Sequence, residues 1–381
     1  MKFIKLSLVA ALAVSAAVAG GDIAPVEPVA EAPKVLSNTT INGKLTGYYY
    51  TDDAVDLFDN DSSELGLAAT LDVTHHFTEN IAMNFSAVGY VNTIKRGYEM
   101  EGDNNGAFIN VANLTATFAD TTFILGRQLL DTPMLGGFDW LLAPGAFEAY
   151  TISNNSIENL TLVGSYVRTW RQNNTGDEWI DLTDIDDGNN WTVGAAYDNK
   201  TISGSIWYYN IDAGLAATGV DKYAQIYVDA GYNFGSVQLA AQYANTNYDA
   251  ADDSDLFGVK IAGEVASITL MEAYANLSDN TAGFVGRDTF YTSSWNTFTS
   301  NSVGDAFKVE ASAEFIGISA TTSYAYYEYE NSATDDEGHE FDLILAYNIT
   351  DAIDANIVYS NTNYGTPDDV NAIEIYANYK F

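Results

Sequence analysis

The sequence predicts an all-β fold, a transmembrane antiparallel up-and-down β-barrel of about 18 strands. Three observations carry this. Segments of about ten residues alternate apolar and polar side chains from residue 40 to the end, the length and pattern of a strand between lipid and a watery lumen. Their connections alternate short and long, which places all turns at one end and all loops at the other. The chain also closes on Asn371 to Phe381, where Ile373, Ile375, Ala377, Tyr379 and Phe381 share one face and Glu374, Tyr376, Asn378 and Lys380 the other.

The N-terminus comes first. Lys2 and Lys5 precede an apolar run from Leu6 to Ala19 that ends in Ala17-Val18-Ala19. This reads as a secretory signal peptide, residues 1–19, since the run is short for a bilayer-spanning helix. Residues 20–38 hold Pro25, Pro28 and Pro33 among Ala, Val and Glu, the composition of an extended periplasmic linker. The barrel is expected over residues 39–381.

The strands are predicted over 40–51, 64–74, 81–92, 108–118, 121–128, 146–153, 159–168, 190–197, 201–211, 223–234, 237–245, 255–265, 268–276, 306–315, 318–329, 339–348, 353–363 and 371–381. Residues 306–315 are typical, with Phe307, Val309, Ala311, Ala313 and Phe315 set against Lys308, Glu310, Ser312 and Glu314. Short turns include Ala119-Asp120, Gly235-Ser236, Ala266-Ser267 and Ile316-Gly317. Proline agrees with the map: Pro133, Pro144 and Pro367 fall in assigned loops, so none deletes a ladder hydrogen bond. Aromatics gather near strand ends, as at Tyr48 to Tyr50 and Tyr326-Tyr327, where rings suit the headgroup level.

Composition narrows function. The net charge of −37 argues against nucleic acid and favours attraction of cations over anions. Cysteine is absent, which removes disulfides, thiolate metal sites and a Cys nucleophile. No H-E-x-x-H and no Gly-rich phosphate loop appears, and His339 with Asp342 or Glu340 is a pairing common by chance, so the expectation is no enzyme and no cofactor. Acidic loops offer calcium candidates at Asp184, Asp186 and Asp187, although such loops are more often simply solvated. Parity places Arg168, Lys260, Lys308 and Glu310 among the candidates for the lumen wall.

The stretch from Phe123 to Ala149 contains Gly126-Arg127-Gln128, Thr132-Pro133, Asp139, Leu141-Leu142-Ala143-Pro144 and Phe147-Glu148-Ala149. Here the chain resembles the OprD-type porins and the related major outer membrane porin of Campylobacter-like bacteria, with Ala149 standing where the family usually has glycine. The resemblance implies an 18-stranded barrel, usually a homotrimer, whose third external loop, 129–145, folds into the lumen. It also implies that Arg127 lines the constriction opposite acids such as Asp131, Asp139 or Glu148. Parity pulls the other way, because Arg127 shares its face with Phe123 and Leu125. An arginine facing lipid at mid-depth costs ~2–4 kcal/mol, so the expectation is that it points inward, with snorkelling to the interface as the alternative.

The expected function is an outer-membrane porin of a Gram-negative bacterium, passing small hydrophilic solutes and favouring cations. Its partners would be outer-membrane lipid and lipopolysaccharide. The alternatives are a substrate-specific uptake channel for small charged nutrients and a surface adhesin barrel.

Overall fold

A computed structural model of the chain describes residues 38–94, 105–182, 189–212, 222–330, 337–366 and 368–381. Eighteen long strands form one closed antiparallel barrel. They are β1 (Thr39–Asp52), β2 (Ser63–His76), β3 (Ile81–Ile94), β4 (Gly106–Phe118), β5 (Thr121–Gln128), β6 (Ala146–Ile157), β7 (Leu160–Arg171), β8 (Trp191–Asp198) and β9 (Ile202–Ile211). The second half comprises β10 (Tyr223–Asn233), β11 (Val237–Tyr248), β12 (Ser254–Val265), β13 (Ile268–Ser278), β14 (Gly304–Phe315), β15 (Ile318–Glu328), β16 (Glu337–Thr350), β17 (Ile353–Asn363) and β18 (Val370–Lys380). Each strand pairs with the next. β18 pairs with β1 from Lys44 opposite Lys380 to Asp52 opposite Ala372, so the sheet has no free edge.

Two tight turns show how the chain reverses. Ala266 and Ser267 have φ of 52° and 67°, and Ile316 and Gly317 have φ of 53° and 77°. Positive φ at both central residues is the type I′ geometry, whose twist matches that of the flanking strands.

The wall meets two solvents. On β14, Phe307 and Val309 are 52% and 50% exposed, while Ala306 and Lys308 are 0% and 2% exposed. The same alternation recurs on β18, where Ile375 and Tyr379 face out and Ala372, Glu374 and Tyr376 face in. Large apolar side chains such as Leu71, Leu114, Ile152, Ile206, Leu239 and Ile261 cover the outside of the barrel. A water-soluble protein does not expose so much contiguous apolar surface; a membrane barrel must. No helix of the described residues is long and apolar enough to cross a membrane.

At the loop end the apolar belt stops at a repeated device. Tyr243 and Asn245 both donate to Asp255 Oδ1. Tyr274 and Asn276 donate to Asp305 Oδ1 at 2.7 and 2.8 Å. Tyr359 and Asn361 donate to Asn371 Oδ1 at 2.7 and 3.0 Å. Each Tyr-x-Asn triplet thus puts a ring against the outer wall and its hydroxyl at the wet rim, as an aromatic girdle requires.

Candidate functional site

The lumen is narrowed by two loops that fold into it. Residues 129–145 leave β5 at Gln128, whose side-chain Nε2 donates to Gly126 O at 3.2 Å and Ala149 O at 2.8 Å. A short hairpin follows, Asp131–Thr132 against Leu135–Gly136. Leu130, Met134 and Leu135 bury against the inner faces of β9 and its neighbours, and Tyr209 OH accepts from Met134 N at 3.1 Å. Further on, Leu141, Leu142 and Ala143 bury against Tyr48, Val88, Phe108, Ile344 and Val358, on the far inner wall. A loop that touches β9 at one end and β1, β16 and β17 at the other must cross the inside of the barrel.

Residues 279–303 form the second inward loop. Val285–Gly286 pairs in parallel with Leu135–Gly136, so the two loops share a small sheet. Gly286 has φ of 80°, and a Cβ there would lie 2.0 Å from Gly136 O, so only glycine permits this approach. Arg287 forms an ion pair with Asp131. The loop then docks on β14–β18. Trp295 Nε1 donates to Glu374 Oε1 at 2.6 Å and Asn296 N to Glu340 Oε1 at 2.6 Å. Lys308 Nζ donates to Ser293 O at 2.9 Å, and Tyr327 OH to Thr292 O at 2.7 Å. Within the loop, the buried Asp288 carboxylate accepts from Ser293 Oγ at 2.7 Å and Ser300 N at 3.0 Å. Burial pushes its pKa above the usual carboxylate range despite those donors. By linkage, its contribution favours the docked loop below the ordinary carboxylate pKa and fades as pH rises through the raised value.

The residues singled out from sequence do not form one constriction ring. Asp131 and Asp139 sit on the 129–145 loop with exposed side chains, Asp131 paired to Arg287. Lys308 is buried 3.4 Å from Glu310, and Lys260 Nζ lies 4.4 Å above the Tyr291 ring. Three charges lie elsewhere. Leu125 pairs with Tyr150 and Arg127 with Glu148, and both Leu125 and Tyr150 are exposed on the outer wall. Two-residue alternation therefore puts Arg127 and Glu148 on the outer side, correcting the inward expectation for both. Gly126, at φ 119°, does not slip the register on either side.

The cost of an outward arginine is met locally. Arg127 donates to Ile109 O at 3.0 Å, and its guanidinium sits 4.2 Å over the Trp179 ring. Arg168 occupies the register shift opposite Glu148 and Ala149 and pairs with Glu148 at 3.1 Å. A further carboxylate, the exposed Glu272, pairs in register with Ile261 and Val309, both on the outer wall.

Arg171 was not singled out by sequence, yet it is fully buried. Its Nε donates to Asn110 Oδ1 at 3.0 Å, and its two NH groups to Gly176 O at 3.1 Å and Pro144 O at 2.8 Å, while its Cζ lies 4.1 Å over the Phe108 ring. It ties the end of the 129–145 loop to β4 and to the segment after β7. Arg287 was also missed; a lone cation in a long loop carries no periodic signal. The calcium candidates Asp184, Asp186 and Asp187 lie outside the described residues, and among the described residues no three His, Cys, Asp or Glu side chains are grouped to hold a metal.

No family model and no curated protein matches the sequence. Solved structures do match. A BenF-like porin from Pseudomonas fluorescens Pf-5 aligns with a TM-score of 0.76 at 15% identity, over 90% of this chain and 98% of that one. Pseudomonas aeruginosa OpdK, solved with vanillate, gives 0.77 at 13% over 90% and 98%. Acinetobacter baumannii OccAB4 gives 0.75 at 14% over 91% and 98%. At such identities the likeness is one of fold. The chain is a closed 18-stranded barrel with the porin architecture, and its apolar outer wall belongs in the outer membrane of a Gram-negative bacterium.

Proposed function

We propose that the protein is a porin that passes small hydrophilic solutes by diffusion and favours cations. The charge arrangement inside the barrel carries this reading. Three inward cations have acids close by: Arg287 pairs with Asp131, Lys308 with Glu310, and Lys44 lies within electrostatic reach of Asp72 and Asp139. Asp139 adds an exposed carboxylate on the inward loop, and the chain as a whole carries a net charge of −37. A passage lined this way draws cations in and repels anions.

The test is conductance of the purified chain in a planar bilayer under a KCl gradient. The expected result is discrete channels with a reversal potential favouring K⁺ over Cl⁻. Silence, or preference for Cl⁻, would contradict it. A second reading, uptake of particular nutrients, is favoured by the extent to which two loops are bonded across the lumen. Solute competition in liposome swelling separates the two.

Several parts of the reading go with it. Residues 1–19 act as a cleaved signal and 20–38 as a periplasmic linker. The likeness to the Campylobacter-type porin rests on the Phe123 to Ala149 segment. A homotrimer is supported by Arg127, Glu148 and Arg168, which interrupt the apolar belt where a second barrel would shield them better than lipid. Lipopolysaccharide is the expected neighbour at the outer rim.

A further inference from the structure

Five aromatic rings from the two inward loops form one unbroken series. Phe284 lies 5.9 Å from Phe298, Phe298 5.5 Å from Phe138, Phe138 5.8 Å from Trp140, and Trp140 6.3 Å from Trp295, centroid to centroid. Every one of them is only partly buried. Trp140 and Trp295 are backed by the buried cluster around Tyr48, Phe108 and Tyr376, and Trp295 is fixed by its hydrogen bond to Glu374. Trp140, Trp295 and Phe284 are thus anchored on buried clusters, while all five rings keep part of their surface exposed.

Asp139 stands between Phe138 and Trp140 in sequence and is exposed. It accepts no hydrogen bond and forms no ion pair among the described residues, yet it lies close enough to act electrostatically on Lys44 and Tyr376. A free carboxylate beside half-open ring faces is a complementary surface for one kind of solute. The ring faces attract a cation or stack on a flat apolar group, and the carboxylate holds the positive charge.

We infer that these rings are a track along which organic cations bearing an aromatic face pass through the channel, with Asp139 as the charged station on it. The inference rests on the porin reading. Steps of 5.5–6.3 Å between rings let a planar solute touch the next ring before leaving the last. A hydrated inorganic cation gains little from the rings, and an aromatic anion is repelled by Asp139.

The experiment is K⁺ current through the full chain in a planar bilayer, with phenethylammonium, methylammonium or benzoate added at equal concentration. Phenethylammonium is expected to interrupt the current saturably, and the other two are not. Trp140→Ala should raise its half-blocking concentration about tenfold, the scale of one partly desolvated cation–π contact. Trp140→Phe, which keeps a ring, should restore block to near the original value. Asp139→Asn should weaken block by phenethylammonium without admitting benzoate block. Phe234→Ala, at an exposed residue just past the end of β10, should change nothing. Equal block by all three solutes, or an unaltered half-blocking concentration in Trp140→Ala, overturns the track while leaving the pore intact. Absence of any K⁺ current overturns the porin reading and this inference together.

Discussion

Ile206→Arg is expected to destabilise the membrane-inserted barrel by ~2–4 kcal/mol, whereas Ala196→Arg, on the adjacent strand, is expected to cost far less. Ile206 is in the middle of β9 and is 55% exposed on the outer wall, in register with Ala195 and Val228. Ala196 pairs with the buried Ser205 and shares the lumen side. An arginine on the outside must draw its charge through hydrocarbon, while one on the inside stays wet. Urea titration of the two variants in lipid bilayers measures the difference. Equal losses would mean that the two faces do not meet different solvents.

Arg171→Met is expected to be a second large effect. The methionine fills much of the volume but leaves Asn110 Oδ1 and Gly176 O without the donors they now have. Each acceptor stranded in the interior costs about 1–3 kcal/mol. Pro144 O keeps its bond from Asn110 Nδ2 at 2.9 Å, so the end of the 129–145 loop is loosened rather than freed. Two readouts follow. The unfolding midpoint should fall, and single-channel current should become noisier as the loop shifts in the lumen. A variant with lowered stability but an unchanged current would confine Arg171 to a role in the wall.

Much of the barrel was legible because a strand of period two between oil and water writes that contrast into every second residue. Thr121–Gln128 and Ile353–Asn363 fall where alternation put them. Strand ends were less clear: β6 runs on to Ile157 through Asn154, Asn155 and Ser156, polar residues that read as a turn. The outward charges were misplaced for a physical reason. Arg127 has the parity of Leu125, and the sequence does not reveal that Ile109 O and the Trp179 ring wait to receive its guanidinium. Cost in bare lipid argued for an inward turn, and tertiary partners lower that cost.

The two inward loops were legible to different degrees. The 129–145 loop was expected inside through family likeness and not through its own pattern. The 279–303 loop carried no such sign, because its position depends on partners far along the chain: Glu340 is 44 residues from Asn296, and Glu374 is 79 from Trp295. Neither spacing is visible to local periodicity. The aromatic series shares this origin, since rings that look like scattered loop residues in sequence meet only after both loops enter the lumen.

The chain's lack of cysteine permits a direct measurement of its two faces. Single cysteines placed in turn at Phe307, Lys308, Val309, Glu310 and Ala311 on β14 would be exposed to a charged, membrane-impermeant maleimide in intact outer membranes. Glu310→Cys is expected to react through the water of the lumen, Lys308→Cys more slowly beneath the 279–303 loop, and the cysteines at 307, 309 and 311 only after the lipid is dissolved. Labelling that ignores odd and even position would contradict a barrel wall with hydrocarbon on one side and an aqueous passage on the other.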